Sequence, residues 1–257
     1  MVGEPGVQVY LLEPARWVSR YQSVSEAARS AHPRELVRGS TLMNQYEGKD
    51  FSYFGWNRED VVPYLPLTAN RICEIGCGNG TTLANIKRRY NASFAVGFDV
   101  HEQSIATARD RIDKAEVIDI EASPLPDYVE SIDLFLCLDV LEHLKDPWSV
   151  VKALHERLSL GGSIVASIPN IRHYTVSMGL LFAGKWDLAE SGLLDRTHLR
   201  FFVRKTAIEL MASSGLRVET VGKTYRRRLD RAAAVASLGL LADICALQYI
   251  IRATRIK

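Results

Sequence analysis

Residues 71–80 read Arg-Ile-Cys-Glu-Ile-Gly-Cys-Gly-Asn-Gly, and Thr-Thr-Leu-Ala-Asn-Ile-Lys-Arg-Arg-Tyr follows over 81–90. The start, RICEI (71–75), is an apolar run suited to a buried strand, and 81–90 has the composition of a helix. Three glycines stand between them, at 76, 78 and 80. Glycine lets the backbone turn tightly and lets a ligand approach the chain closely. The helix that follows offers free N–H groups and a positive dipole end. On an open parallel sheet, ligands sit beyond the carboxyl ends of the strands. Asp99 ends the next apolar run, where an acid can accept hydrogen bonds from both hydroxyls of a ribose.

The same alternation continues outward. SFAVGFD (93–99) reads as strand and QSIATARDRI (103–112) as helix. EVIDI (116–120) and IDLFLCL (132–138) read as strands, PWSVVKALHERL (147–158) as a helix stopped by Gly161-Gly162, and SIVASIP (163–169) as strand. Strands separated by helices predict βαβ units and a parallel sheet covered on both faces. After Pro169 a long connection, 170–202, carries a helix at 173–184. VRKTAIELMASSG (203–215) is helical and ends at Gly215. LRVETVGK (216–223) and QYIIRATRI (248–256) are rich in β-formers and predict a strand pair. Between them, 223–247 places a basic run before an apolar helical segment. Residues 1–69 read as a helical or irregular leader, with Ser23 capping a short helix to Arg29. The chain thus divides into a leader (1–69) and an α/β domain (70–257).

A glycine loop of this kind suits a nicotinamide enzyme or an S-adenosylmethionine (SAM) enzyme. The dinucleotide fingerprint G-x-G-x-x-G puts its third glycine at position 81, where this chain has Thr81. Glu74 lies beside the loop, and a carboxylate there suits a cationic ligand better than a pyrophosphate.

Composition is that of a globular protein: 47% apolar, 24% charged, net charge +2. The balance gives no footprint for nucleic acid. Cys73, Cys77, Cys137 and Cys245 lie in or beside apolar stretches and form no metal or disulfide framework, which predicts buried thiols. The sequence shows no secretory leader, and its longest apolar run, 232–242, is shorter than the about 20 residues of a spanning helix. The expectation is a cytoplasmic protein.

The motifs carry a family resemblance. Glu74-Ile-Gly-Cys-Gly-Asn-Gly80 resembles the SAM loop of class I methyltransferases. Residues 133–147, DLFLCLDVLEHLKDP, resemble the fourth-strand motif of their ubiquinone-type and sugar-modifying branches. Residues 192–202, GLLDRTHLRFF, resemble a block of bacterial glycan-associated methyltransferases. The resemblance implies a Rossmann-like sheet of about seven strands, the last antiparallel and inserted beside the sixth. It implies that Glu74, Gly76 and Gly78 line the methionine part of SAM, with Asn79 also at the cofactor. Asp99 would hold the ribose hydroxyls. Asp119 and Ile120 would border the adenine, with the Asp119 carboxylate near its exocyclic amine, and Leu138 and the backbone around Asp139 would lie under the sulfonium. Tyr53 and Arg58 would close over the cofactor, with Arg58 near its carboxylate.

Methyl transfer to a hydroxyl needs a base at the acceptor. His143, just past the fourth strand, and His198, in the D-R-T-H block, are the candidates. Asn170, Asp195 and Arg196 are candidates for orienting the acceptor. Three of them have a plainer reading: His143 as a turn cap, His198 as a structural residue paired with Asp195 or a backbone carbonyl, Arg196 as an ordinary surface or ion-pair arginine. Glu142 is expected to face away from His143, because neighbours in an extended segment diverge. No H-E-x-x-H or comparable triad is legible, so no metal is expected. The expected acceptor is a sugar hydroxyl of a glycan, glycolipid or glycosylated metabolite, and the product S-adenosylhomocysteine. A quinone-like phenol and a non-catalytic SAM-binding subunit of a glycan-assembly complex remain alternatives. The 223–247 segment either packs as a core helix or meets an anionic membrane surface.

Overall fold

The structure, a computed structural model, describes residues 57–257. The Ser23 helix, most of the leader and Tyr53 lie outside those residues. Seven strands form one sheet in the order β3-β2-β1-β4-β5-β7-β6. They are β1 (Arg71–Ile75), β2 (Phe94–Asp99), β3 (Lys114–Val117), β4 (Ile132–Leu138), β5 (Leu158–Pro169), β6 (Arg217–Thr224) and β7 (Gln248–Thr254). Strands β1 to β5 are parallel, whereas β7 runs antiparallel between β5 and β6. The expected α/β class and antiparallel last strand are present.

The helices cover both faces. The first, α1 (Thr81–Tyr90), buries Thr82, Leu83 and Ile86 and ends at Asn91 in the left-handed region. Next, α2 (Glu102–Ala108) is capped by the His101 side chain, which accepts from the Ser104 N–H. On the other face, α3 (Pro147–Arg157) starts with Pro147 behind an Asp146 cap and buries Val150, Val151 and Leu154, the one-sided spacing of a helix on a sheet. In the later half come α4 (Tyr174–Ala183), α5 (Arg204–Ala212), α6 (Arg228–Ala236) and the single turn α7 (Ala242–Cys245). One core layer centres on Phe98, Phe135, Leu154 and Tyr249. The other centres on Ile72, Leu83, Ile105 and Leu134.

Two expectations change. Gly161-Gly162 does not separate a helix from a strand: β5 already starts at Leu158. Gly161 adopts φ +81° and its N–H donates to the Arg255 carbonyl, so the strand passes through the glycines against the chain's end. The apolar segment of 223–247 is also not one helix. Leu238 (φ +52°) and Gly239 (φ +89°) break it between α6 and α7. All four cysteines are free and buried. No helix among the described residues is long and apolar enough to cross a membrane.

Candidate active site

The carboxyl ends of β1, β2 and β4 open into a cavity of about 1010 Å³. The β1–α1 loop forms one wall. Gly76, Gly78 and Gly80 all have positive φ, at +73°, +50° and +75°. A Cβ on Gly76 would run into Val140, so the loop passes too close to the β4 end for any side chain. The loop is pinned from β2: the Gly76 and Cys77 N–H groups donate to the Phe98 carbonyl at 2.7 and 3.0 Å. Asp99 Oδ2 accepts from the Gly78 N–H at 2.8 Å and Oδ1 from the His101 N–H at 2.9 Å. Burial raises the Asp99 pKa, and these N–H bonds oppose the rise.

Glu74 lies at the floor, 3% exposed, and its Oε2 has no hydrogen-bond partner. Burial pushes its pKa up to about 8, against the pull of the Arg58 charge. Arg58 donates through Nε and Nη2 to both Asp60 oxygens at 2.8 and 2.9 Å and pairs through Nη1 with Asp139. Burial works against the Arg58 charge, but these acids outweigh it and raise its pKa. Asp139 sits at φ +57° just past β4, held by Ser167 Oγ and Gln248 Nε2, each at 2.7 Å. A non-glycine residue in that region costs of order 1–3 kcal/mol and persists where its surroundings over-determine it.

The opposite wall comes from the turn after β4 and from the 192–200 segment. Leu141–His143 is one 3-10 turn. Its Glu142 carbonyl accepts from the Leu199 and Arg200 N–H groups, both at 2.9 Å, which draws the long connection over the strand ends. His143 and His198 then meet edge-on with ring centroids 4.8 Å apart. His143 Nδ1 lies 3.2 Å from the Thr197 carbonyl and 3.1 Å from Thr197 Oγ1. That hydroxyl donates to Asp195 Oδ1 at 2.7 Å, so Nδ1 carries the proton. His198 Nδ1 faces the Leu193 carbonyl at 3.3 Å, which fixes the same tautomer.

Glu142 does not face away. It lines the cavity beside His143, because a 3-10 turn rotates by about 120° per residue where a strand rotates by 180°. It is 1% exposed, and neither carboxylate oxygen has a hydrogen-bond partner. Burial and then the neighbouring Asp139 push its pKa well up.

The cavity therefore unites Arg58, Glu74, Gly76, Gly78, Asp99, Ile120, Leu138, His143, Asp195 and His198 of the expected set. Four expected residues are not among its lining. Asn79 folds onto the chain just after it, its Oδ1 accepting from the Thr81 N–H and hydroxyl. Asp119 turns onto its own loop and accepts from the Glu121 N–H, leaving Ile118 and Ile120 at the wall. Asn170 ties α7 down through Nδ2, at 2.7 and 2.8 Å from the Asp243 and Ala246 carbonyls. Arg196 pairs with Glu190 at 2.8 Å on the surface. Asp60, Glu142, Tyr225 and Gln248 line the cavity without having been expected there.

A family model described as a methyltransferase domain matches residues 46–221. The chain belongs to this methyltransferase family. The methyltransferase is 29% identical over 169 residues to a ubiquinone biosynthesis O-methyltransferase of Neisseria meningitidis, covering 63% of this chain and 70% of that one. It is 28% identical over 156 residues to the 27-O-demethylrifamycin SV methyltransferase of Amycolatopsis mediterranei, covering 51% and 57%. Its fold matches a SAM-dependent methyltransferase from Mesorhizobium loti with TM-score 0.55 and 21% identity, over 76% of this chain and 96% of that one. It also matches a phosphoethanolamine N-methyltransferase of Haemonchus contortus solved with SAM, with TM-score 0.60 and 13% identity, over 85% and 60%. The chain is a SAM-dependent methyltransferase with the class I fold.

Proposed function

We propose that this methyltransferase transfers the methyl group of SAM to a hydroxyl of a small lipophilic, phenol-like acceptor. The carrying observation is that one cavity has two unlike ends. At one end a glycine cradle too tight for a Cβ, a buried unpartnered Glu74 oxygen and Asp99 fit SAM. Glu74 meets the cationic amino group, Asp99 takes the ribose hydroxyls, and Ile118 and Ile120 flank the adenine. Arg58 and Leu138 close the middle. SAM supplies an electrophilic methyl group on a sulfonium.

At the other end Glu142, His143 and His198 form the polar group, and Leu144, Leu193, Tyr225 and Leu247 form the wall. With its Nδ1 proton directed at Thr197, His143 turns Nε2 to the acceptor, and that nitrogen takes the acceptor's hydroxyl proton as the bond to carbon forms. His198 and Asp195 orient the acceptor. This apolar wall favours the lipophilic reading over the sugar reading. Asn170 and Arg196, two of the side chains meant to grip a polyol, are bonded elsewhere. The names of the two O-methyltransferase relatives point the same way. The 223–247 segment, with exposed leucines beside Arg226–Arg228, would rest on an anionic membrane that supplies such an acceptor.

Turnover tests it. The protein is incubated with SAM and two acceptor sets, substituted catechols or phenols and free or glycosidic sugars, and methylated products are identified by mass. Methylation of phenols with no sugar product is expected. The reverse result returns the sugar reading. Tight SAM binding without any product would favour a non-catalytic subunit.

A further inference from the structure

We infer that Glu142, His143 and His198 form a divalent metal site in the acceptor end of the cavity. One ligand atom of each lies within 4.8 Å of the other two. A transition ion with ligand distances of about 2.0–2.2 Å holds neighbouring ligand atoms about 3 Å apart, so small side-chain rotations complete the set. Three independent features prepare it. Both carboxylate oxygens of Glu142 are buried without a hydrogen-bond partner, which is costly unless a cation or proton meets them. Both histidines direct Nδ1 at backbone carbonyls, of Thr197 and Leu193. That arrangement puts the lone pair on Nε2 and is the usual outer support of a metal-bound imidazole. The Glu142 carbonyl, bonded to Leu199 and Arg200, locks the two halves of the site together.

Two imidazoles and one carboxylate in a water-accessible cavity suit a first-row transition ion such as Mn²⁺, Fe²⁺, Co²⁺ or Zn²⁺. Mg²⁺, which prefers oxygen donors, suits them less well. Three protein ligands leave positions for an acceptor oxygen. A hydroxyl bound there loses its proton to water through the cavity mouth, and the ion holds the resulting alkoxide or phenolate. In that state His143 holds the ion instead of taking the proton. This catalytic role rests on the O-methylation reading, whereas the ion site stands without it.

The test needs no acceptor. The full chain is stripped with chelator and titrated with Mn²⁺ by calorimetry and electron paramagnetic resonance, and with Co²⁺ by visible absorption. One equivalent is expected to bind at micromolar or lower concentration, with Mg²⁺ competing poorly. Glu142→Gln and His198→Ala should each weaken Mn²⁺ at least tenfold, with SAM affinity measured alongside to confirm an intact fold. Absence of a stoichiometric Mn²⁺ or Co²⁺ complex in the wild-type protein overturns the site. So does unchanged Mn²⁺ affinity in both variants. Ion binding without methylation of any acceptor would retain the site and reject the proposed reaction.

Discussion

The His143 ring meets the His198 ring edge-on at 72°, although one belongs to the turn after β4 and the other to the long connection after β5. Thr197 joins them: its backbone carbonyl faces His143 Nδ1, and its hydroxyl passes on to Asp195. The two imidazoles are therefore oriented by one segment, and their roles separate by kinetics. His143→Ala should lower kcat by about 10²–10⁴-fold, the usual weight of a group that manages the acceptor proton. SAM affinity should hardly change. His198→Ala should raise the acceptor KM more than it lowers kcat. Full turnover in His143→Ala combined with loss in His198→Ala would reverse the two assignments.

Asp99 anchors the loop through Gly78 and still offers lone pairs to the cavity. Asp99→Ala should therefore weaken SAM on two accounts, lost ribose contacts and a looser loop. Each bond to a charged acceptor contributes about 1.5–3 kcal/mol, so a drop of at least about tenfold is expected by calorimetry. An unchanged affinity would remove Asp99 from the cofactor site.

Glu74 makes stability without SAM depend on pH. Its folded pKa, about 8, lies above the ordinary 4.5. The folded state thus holds the proton more tightly than the unfolded chain. The resulting stabilisation is complete below about pH 4.5 and is lost as pH rises towards 8. Asp99 and Glu142 are shifted in the same direction and add to the slope. Thermal unfolding without ligand should give a higher Tm at about pH 5.5 than at about pH 8.5. Glu74→Gln keeps the shape and cannot titrate, so it should flatten that difference. A slope as steep in Glu74→Gln as in the wild type would place the titration elsewhere.

The sheet was legible because apolar runs and glycine punctuation report backbone geometry directly. IDLFLCL became β4 with those bounds, and the three glycines form the cradle. Glu142 was misjudged because side-chain direction depends on whether two residues are extended or in a 3-10 turn, which composition does not reveal. Asn79, Asp119 and Asn170 are polar residues near the site whose hydrogen bonds go to backbone groups. A sequence names a donor or acceptor but not its partner. Gln248 reaches Asp139 only because β7 is inserted beside β5. That contact depends on strand order, and nothing local encodes it.

Leu238 and Leu240 are 96% and 86% exposed just past the end of α6, whose start carries the exposed run Arg226–Arg228. The Tyr174 hydroxyl bonds Asp230 at 3.3 Å, which ties the start of α4 to the start of α6, and Leu181 and Phe182 near the end of α4 are also exposed. The protein should float with vesicles containing phosphatidylglycerol at low salt and be released as salt rises. The double variant Leu238→Glu, Leu240→Glu should lose flotation and keep SAM affinity. Wild-type protein that remains in the bottom fraction at low salt would make these leucines ordinary surface residues.

Gly76 and Val140 test the cradle most directly. Gly76 has φ +73°, and a Cβ there would collide with Val140. The backbone cost of a non-glycine residue in that region is about 1–2 kcal/mol, and the collision adds to it. Gly76→Ala should therefore lower SAM affinity about tenfold or more, since 1.4 kcal/mol is one decade. Val140→Ala removes the methyl groups in the way while retaining the backbone. The double variant Gly76→Ala, Val140→Ala should recover the steric part and leave the conformational part. Its SAM affinity should fall between those of Gly76→Ala and the wild type. Calorimetry on the four proteins of this cycle measures the coupling. Strictly additive losses would mean that the two positions do not meet and that the loop lies farther from the β4 end.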